Sequence, residues 1–437
     1  MGEHVLLHYA WVIVFIAAIA QMVGSSIRLA FGVVVDPLVS DFGWSAGSVG
    51  FAYAFMSIVT ALFSPIAGWA GTRFGARRTM VAGICLFLAG MLWTSQVSSL
   101  WELYLSYGLV FGIAQALFLV PVVPVVATWF RRHLGLGTGI MMVSWSLGPA
   151  LVVQLMAVLF ERVGWSETFV ITGIAGSALM GAMLLLFKDT PEQAGKKPYG
   201  WKSGDEPLVT SGAAYDQNAG RFQGYIVRTN AFWNLINIHF LGCAGHAVIL
   251  VGIVPMAIHR GMSPLAAAGV LTTVSIVSVG MRFLAPVLAD KFGSRGVMFF
   301  SFFGQGAGAL LFLIADSPAE FYAFSVVWAI PFGGEGTAFP VINRQYYGHV
   351  PIGPTYGWQL LGAGLGMALG GVIPGVLFDL TGGYTWAIAL SAAFSLAGAA
   401  AILLLDPTKR LLIPDWQQVA PASATRNVQV AAASAGD

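Results

Sequence analysis

Two stretches decide how this chain is read: GWAGTRFGARR, from Gly68 to Arg78, and PVLADKFGSR, from Pro286 to Arg295. Each closes an apolar run, then sets a basic residue, Phe-Gly and an Arg at matching offsets. The first copy supplies Gly68, Arg73, Gly75, Arg77 and Arg78; the second supplies Asp290, Lys291, Gly293 and Arg295. Asp290 has Thr72 as its counterpart, so one copy keeps an acid that the other lacks. A signature that recurs half a chain apart marks an internal repeat.

Working outward, both stretches lie between runs long enough to cross a bilayer. A hydrocarbon core of about 30 Å needs about 20 apolar residues as a helix. Twelve runs qualify: roughly 9–35, 47–70, 79–98, 101–128, 137–160, 167–187, 230–257, 264–289, 296–315, 319–346, 355–378 and 384–405. They are too long, and lack the alternation, for the wall of a barrel. Composition agrees. Only 9% of the 437 residues are charged and 57% are hydrophobic, against about 25% charged in a soluble domain. A soluble enzyme and a disordered chain are both excluded. The net charge of +2 provides no basic field for nucleic acid.

The first run reads as a span rather than a removable signal peptide. Basic residues gather on one side: Arg73, Arg77 and Arg78, then Arg131 and Arg132, the stretch after Lys188, Lys291 and Arg295, Arg344, and the tail after Asp406. Acids such as Asp41, Glu102, Glu161, Asp316 and Asp379 occupy the other. The positive-inside bias then predicts that both termini are cytoplasmic, in a plasma (inner) membrane. The one long polar interruption divides the chain into a six-helix bundle at 1–187, a cytoplasmic linker at 188–229 with room for a short surface helix, and a second six-helix bundle at 230–405. Residues 406–437 read as a disordered tail.

The two loops resemble the signature G-x-x-x-D-R-x-G-R-R of the major facilitator superfamily, which implies an all-α membrane protein of twelve transmembrane helices in two six-helix bundles. In that fold the acid and arginines latch neighbouring helix ends; Thr72 leaves the first copy without its acid. Gly280-Met281-Arg282-Phe283, leading to Asp290, further resembles span eight of the monocarboxylate transporters and of the oxalate–formate antiporters. Trp129-Phe130-Arg131-Arg132-His133 and Leu136-Gly137-Thr138-Gly139 are similar to the span-five patterns of the same two groups. The chain departs from them at three places. Ser278 stands where many monocarboxylate transporters carry an Asp, Leu29 beside Arg28 stands near their span-one Lys, and Leu360 to Gly364 lacks the antiporters' span-eleven Lys.

Charges in a bilayer core are costly and rare, so each is a functional candidate. Three qualify: Arg28, Arg282 and Glu335. Arg282 precedes Asp290 by eight residues on one helix, about 12 Å, which puts it near mid-membrane. Its permanently charged fork suits a carboxylate but cannot shuttle a proton. A structural ion pair is the alternative. Arg28 lies nearer the opposite end of its span, where it either snorkels outward, pairs with an acid or contacts substrate. Ser278 and Gln359 complete the expected substrate contacts.

Glu335, in Gly333-Gly334-Glu335-Gly336, can titrate, anchor helices or pair with Arg282. His246 is the other proton-coupling candidate, because imidazole changes charge near physiological pH. Asn234, Asn237, His239, Gln115 and Gln154 read as interhelical hydrogen-bonding groups. Cys85 and Cys243 read as small buried hydrophobes. No zincin, C-x-x-C or hydrolase motif appears, so no enzyme, cofactor or metal is implied.

The resemblance and the central Arg together imply a monomeric secondary transporter of small monocarboxylates, of the lactate or pyruvate type. Proton symport by alternating access follows, since a carboxylate and a proton cross without net charge. An organic-anion exchanger of the oxalate–formate type is the alternative.

Overall fold

The computed structural model describes residues 8–205 and 213–415. Residues 416–437, in the expected disordered tail, lie outside the described residues. Among the described residues, ten helices are long and apolar enough to span a membrane. The two remaining spans are interrupted or merged, which brings the total to twelve.

Spans one to three are Tyr9–Phe42, Ala46–Phe74 and Ala76–Thr94. Span four, Leu100–Trp129, passes through a π-helical segment at Tyr104–Phe111. Spans five and six are two helices within Leu134–Leu186, joined at Gly164 without the loop that was expected. The reversal is confined to Gly164, whose φ of 81° and ψ of 172° turn the chain within one residue. That conformation costs glycine little and other residues much more.

Spans seven to nine are Asn230–His259, Pro264–Phe292 and Ser294–Leu310. Spans eleven and twelve are Gly353–Thr381 and Thr385–Leu403. Span ten is broken into Pro318–Gly334 and Phe339–Tyr347. Spans four and ten begin alike, each with a capping box: Ser99 with Glu102, and Ser317 with Glu320. The side-chain oxygen and carboxylate satisfy amide groups that a helix start leaves unpaired. This is a second trace of the repeat.

The spans form two six-helix bundles, joined along span two against span eleven and span five against span eight. Large apolar side chains cover the outer surface; Leu265 is 85% exposed and Leu380 75%. Such a surface is stable against lipid, not water. Cys85 is exposed on it, contrary to expectation, because the outside of a membrane bundle is as apolar as its core.

The repeated loops share one backbone geometry. Gly75 has φ 90° and ψ 143°, and Gly293 has φ 97° and ψ 138°. Both break one helix and start the next with φ in the region that glycine tolerates. The stretch between the bundles is anchored against them. Tyr199 bridges to span four, its amide donating to the Trp129 carbonyl at 2.8 Å. Arg132 pairs with Asp205 at 2.6 Å, and this hydrogen-bonded partner lowers the Asp205 pKa. A helix at Ala213–Ile226 follows, with Phe222 and Ile226 fully buried.

Candidate functional site

The side of the molecule that carries the basic loops and this connecting stretch, the linker face, is where the bundles meet. A Cβ on Gly68 would strike the Gly353 carbonyl, and one on Gly135 would strike the Pro286 carbonyl. Glycine is what permits these backbones to approach so closely. Asp290 accepts a hydrogen bond from the Gly135 amide at 3.2 Å, at the start of span five. That amide is one of those left open at a helix N-terminus, where a carboxylate is favoured.

In the first copy, Thr72 bonds only its own helix, donating to the Gly68 carbonyl at 3.1 Å. The missing acid is supplied from elsewhere: Asp189 accepts from the Arg77 amide at 2.8 Å and sits beneath Gly75. In the second copy, Lys291 lies over the Phe292 ring and Arg295 donates to the Leu403 carbonyl. Arg344 completes the closure. From span ten it donates to the carbonyls of Phe130 at 3.1 Å and Ala127 at 2.5 Å, in the opposite bundle. The sequence reading counted Arg344 only among the basic residues that set orientation, and nothing in its local pattern reveals the closure role.

Among the described residues, the hydrogen bonds and glycine approaches joining the bundles lie between mid-depth and the linker face. Between the bundles lies a cavity of about 240 Å³. Arg28, Tyr53 and Ser57 line it from one bundle, and His239, Cys243, His246, Arg282 and Glu335 from the other.

Glu335 reaches the cavity because span ten stops there. The helix ends at Gly334, Glu335 itself is extended (φ −65°, ψ 137°), and Gly336 takes φ 75°. Gly333 and Gly334 permit the break to pack tightly, the first on Ser278 and the second on Ser301. The carboxyl, 4% exposed, lies 3.1 Å from Nδ1 of His246 and 3.9 Å from the Cys243 thiol. The expected pairing with Arg282 is replaced by this pair with His246.

Arg282 makes no hydrogen bond or ion pair among the described residues, and its Nε is a buried donor without a partner. The guanidinium lies over the Phe332 ring, 5.1 Å from its centroid. An unpaired buried donor costs about 1–3 kcal/mol, so Arg282 keeps an unused donor at the cavity wall. Arg28 neither snorkels outward nor meets an acid. It turns inward, donating to the Tyr53 hydroxyl at 3.3 Å and to Ser57 Oγ at 3.4 Å, and touching Met367 of the other bundle.

Ser278 and Gln359 are not brought into the lining. Ser278 Oγ bonds the Ser275 carbonyl and faces Ser146 Oγ at 3.1 Å across the bundle seam. Gln359 exchanges two hydrogen bonds with Asn343, at 2.8 and 3.0 Å. Each polar group is satisfied by a neighbouring helix, which leaves nothing free for a ligand. Gln115 and Asn234 donate to the backbone carbonyls of Gly24 and Ala401, but Gln115 also lines the cavity and its Oε1 has no hydrogen-bond partner there. Asn237 is exposed, and the Gln154 side chain lies outside the described residues. His239, read as glue between helices, instead lines the cavity and stacks on Phe339.

The family model for the Major Facilitator Superfamily matches residues 10–354. An uncharacterized MFS-type transporter, YhjX, of Escherichia coli (strain K12) is 29% identical over 73% of this chain and 76% of its own length. Monocarboxylate transporter 13 of Bos taurus is 25% identical over 91% of this chain and 89% of its own. The oxalate:formate antiporter of Oxalobacter formigenes is 25% identical over 83% and 86%. A solved structure of the proton:xylose symporter XylE, bound to 6-bromo-6-deoxy-D-glucose, superposes with a TM-score of 0.72 at 14% identity. It covers 92% of this chain and 98% of that one, a likeness of fold alone.

Proposed function

The chain belongs to the major facilitator superfamily of membrane transporters, and from that premise we propose that it moves small monocarboxylates, of the lactate or pyruvate class, together with a proton. One observation carries the reading: Arg28 and Arg282, from opposite bundles, border one cavity. A carboxylate between them draws the bundles together, which is the step that alternating access requires. At about 240 Å³ the cavity falls below the range of drug-sized sites, so the cargo is small. The named relatives that carry monocarboxylates or exchange oxalate for formate support an anionic substrate.

Charge favours a proton as the companion. With both arginines charged and Glu335 ionised, the cavity presents one net positive charge while His246 is neutral. One monoanion neutralises it. The His246–Glu335 pair is the place for a proton that crosses with the carboxylate as its counter-charge. Carrying them as a neutral sum avoids about 2.3 kcal/mol per charge per 100 mV. Glu335→Gln and His246→Gln are each expected to reduce uptake driven by a pH gradient. At least one is expected to keep exchange of labelled for unlabelled substrate. Gradient-driven uptake equal to the parent's in both variants would remove this pair from the proton path.

The inward-facing Arg28 also favours the second reading. A dianion wants two cationic partners; Leu360 to Gly364 lacks the antiporters' Lys, and Arg28 is placed to be the second cation beside Arg282. Two guanidinium groups could hold the two carboxylates of oxalate, making the protein an exchanger. Counterflow separates the readings: an exchanger requires anion on the far side of the membrane and ignores an imposed pH gradient.

The linker face is assigned to the cytoplasm, with both termini, in a plasma (inner) membrane and as a monomer; the basic loops support the assignment. In a Cys85→Ala background, Ser203→Cys is expected to react with an impermeant maleimide only after the cells are opened. Labelling in intact cells would reverse the orientation.

A further inference from the structure

His239, Cys243 and Glu335 form a buried cluster whose ligand-bearing atoms all lie within 4.8 Å of one another. The first two stand four residues apart on span seven, so they share one helix face. The third is delivered by the break in span ten. All three residues border the cavity. His239 is 4% exposed, and its Nδ1 is buried without a hydrogen-bond partner. An inert packing role does not explain that unpaired nitrogen beside a carboxylate to which the Cys243 thiol donates at 3.9 Å.

We propose that this cluster is a binding site for a divalent transition metal of the zinc class. The donor set of one imidazole, one thiolate and one carboxylate is that of zinc and its neighbours, not of calcium or magnesium, which prefer oxygen alone. Bonds of about 2.0–2.3 Å in a tetrahedron place these three donors about 3.3–3.5 Å apart. The Cys243 thiol and the Glu335 carboxylate, at 3.9 Å, are already near that spacing. Rotation of the side chains draws in the rest.

His246 is the supporting group. Its Nδ1 lies 3.1 Å from Glu335 Oε2 without a formed hydrogen bond, so a small turn of the imidazole holds the carboxylate by its second oxygen and leaves the oxygen facing Cys243 for the ion. Metal-ligating carboxylates are commonly oriented in this way. Three protein donors leave a fourth position toward the cavity, open to water or to a carboxylate. The charges also balance: a divalent ion, a thiolate and a carboxylate sum to zero. With Glu335 engaged by the ion, Arg28 and Arg282 are left as the uncompensated charges of the cavity. The site therefore couples metal occupancy to anion binding.

The test uses the full chain, untagged, in lipid nanodiscs in a Cys85→Ala background, so that Cys243 is the sole thiol. Cobalt(II) is titrated as the spectroscopic probe, with zinc as competitor. The expected result is one ion per chain, a thiolate-to-cobalt charge-transfer band, tetrahedral visible bands, and loss of all of them on adding zinc. Cys243→Ser is expected to lose the charge-transfer band. Glu335→Gln and His239→Gln are expected to keep it with affinity lowered about tenfold or more. Zinc is expected to raise the melting midpoint of the parent and not that of Cys243→Ser. Saturating cobalt without a thiolate band, or a band that survives Cys243→Ser, would overturn the proposal. Neither readout depends on transport, so this test and that of the carried anion succeed or fail separately.

Discussion

Replacing Arg282 with Gln is expected to abolish saturable uptake of the monocarboxylate while leaving a folded, monodisperse protein. The expectation of normal folding comes from the geometry. Arg282 makes no ion pair that the substitution would break, and it loses only its stacking on Phe332, worth about 0.5–2 kcal/mol. The loss in binding is larger. A charge-assisted hydrogen bond to a carboxylate contributes about 1.5–3 kcal/mol, so affinity falls about tenfold or more. Arg282→Lys keeps the charge but loses the planar fork, and is expected to fall between the two. Tryptophan fluorescence and uptake on the same preparation check both halves. A well-folded Arg282→Gln protein with near-normal affinity would remove this residue from the substrate site.

Gly68→Val is expected to stop net transport by a different route. The added Cβ meets the carbonyl oxygen and carbon of Gly353, which are backbone atoms and cannot rotate away. Overpacking of this kind costs about 1–3 kcal/mol. The cost falls only on the conformation closed at the linker face, so the population shifts about fivefold to a hundredfold toward the open one. Cysteines placed at the linker-face ends of spans two and eleven are then expected to react faster than in the parent. Accumulation of substrate is expected to fail while binding persists. Unchanged reactivity would show that the seam tolerates a side chain and that Gly68 is not part of the gate.

Much of the fold was legible because the bilayer imposes it. Apolar length, basic loops and the doubled Phe-Gly spacing are properties of sequence alone, and Gly75 and Gly293 do adopt nearly the same dihedrals. Arg282 was legible for a similar reason, since a lone cation at that depth is conspicuous. What escaped depends on which way a helix is rotated. In a soluble helix the polar face reveals the outside; in a membrane both faces are apolar and the pattern carries little information.

Arg28 was left open for that reason between snorkelling outward, pairing with an acid and contacting substrate, whereas Tyr53 and Ser57 hold it inward. Ser278 and Gln359 were assigned to substrate by position along their spans, whereas rotation turns them to Ser146 and Asn343. The kink at Gly164 and the break at Glu335 were hidden because one glycine in a glycine-rich chain gives no sign of which will take a positive φ. Arg344 and Asp189 act on partners far away in sequence, which no local pattern encodes.

The most direct test of the account is uptake of radiolabelled lactate and pyruvate into proteoliposomes holding the purified chain, with and without an imposed pH gradient. The account predicts saturable uptake that accelerates when the lumen is alkaline, accumulation above the outside concentration, and proton entry in step with substrate. Uptake indifferent to the gradient and dependent on internal anion would contradict proton symport, and absence of saturable uptake of either acid would contradict the substrate class.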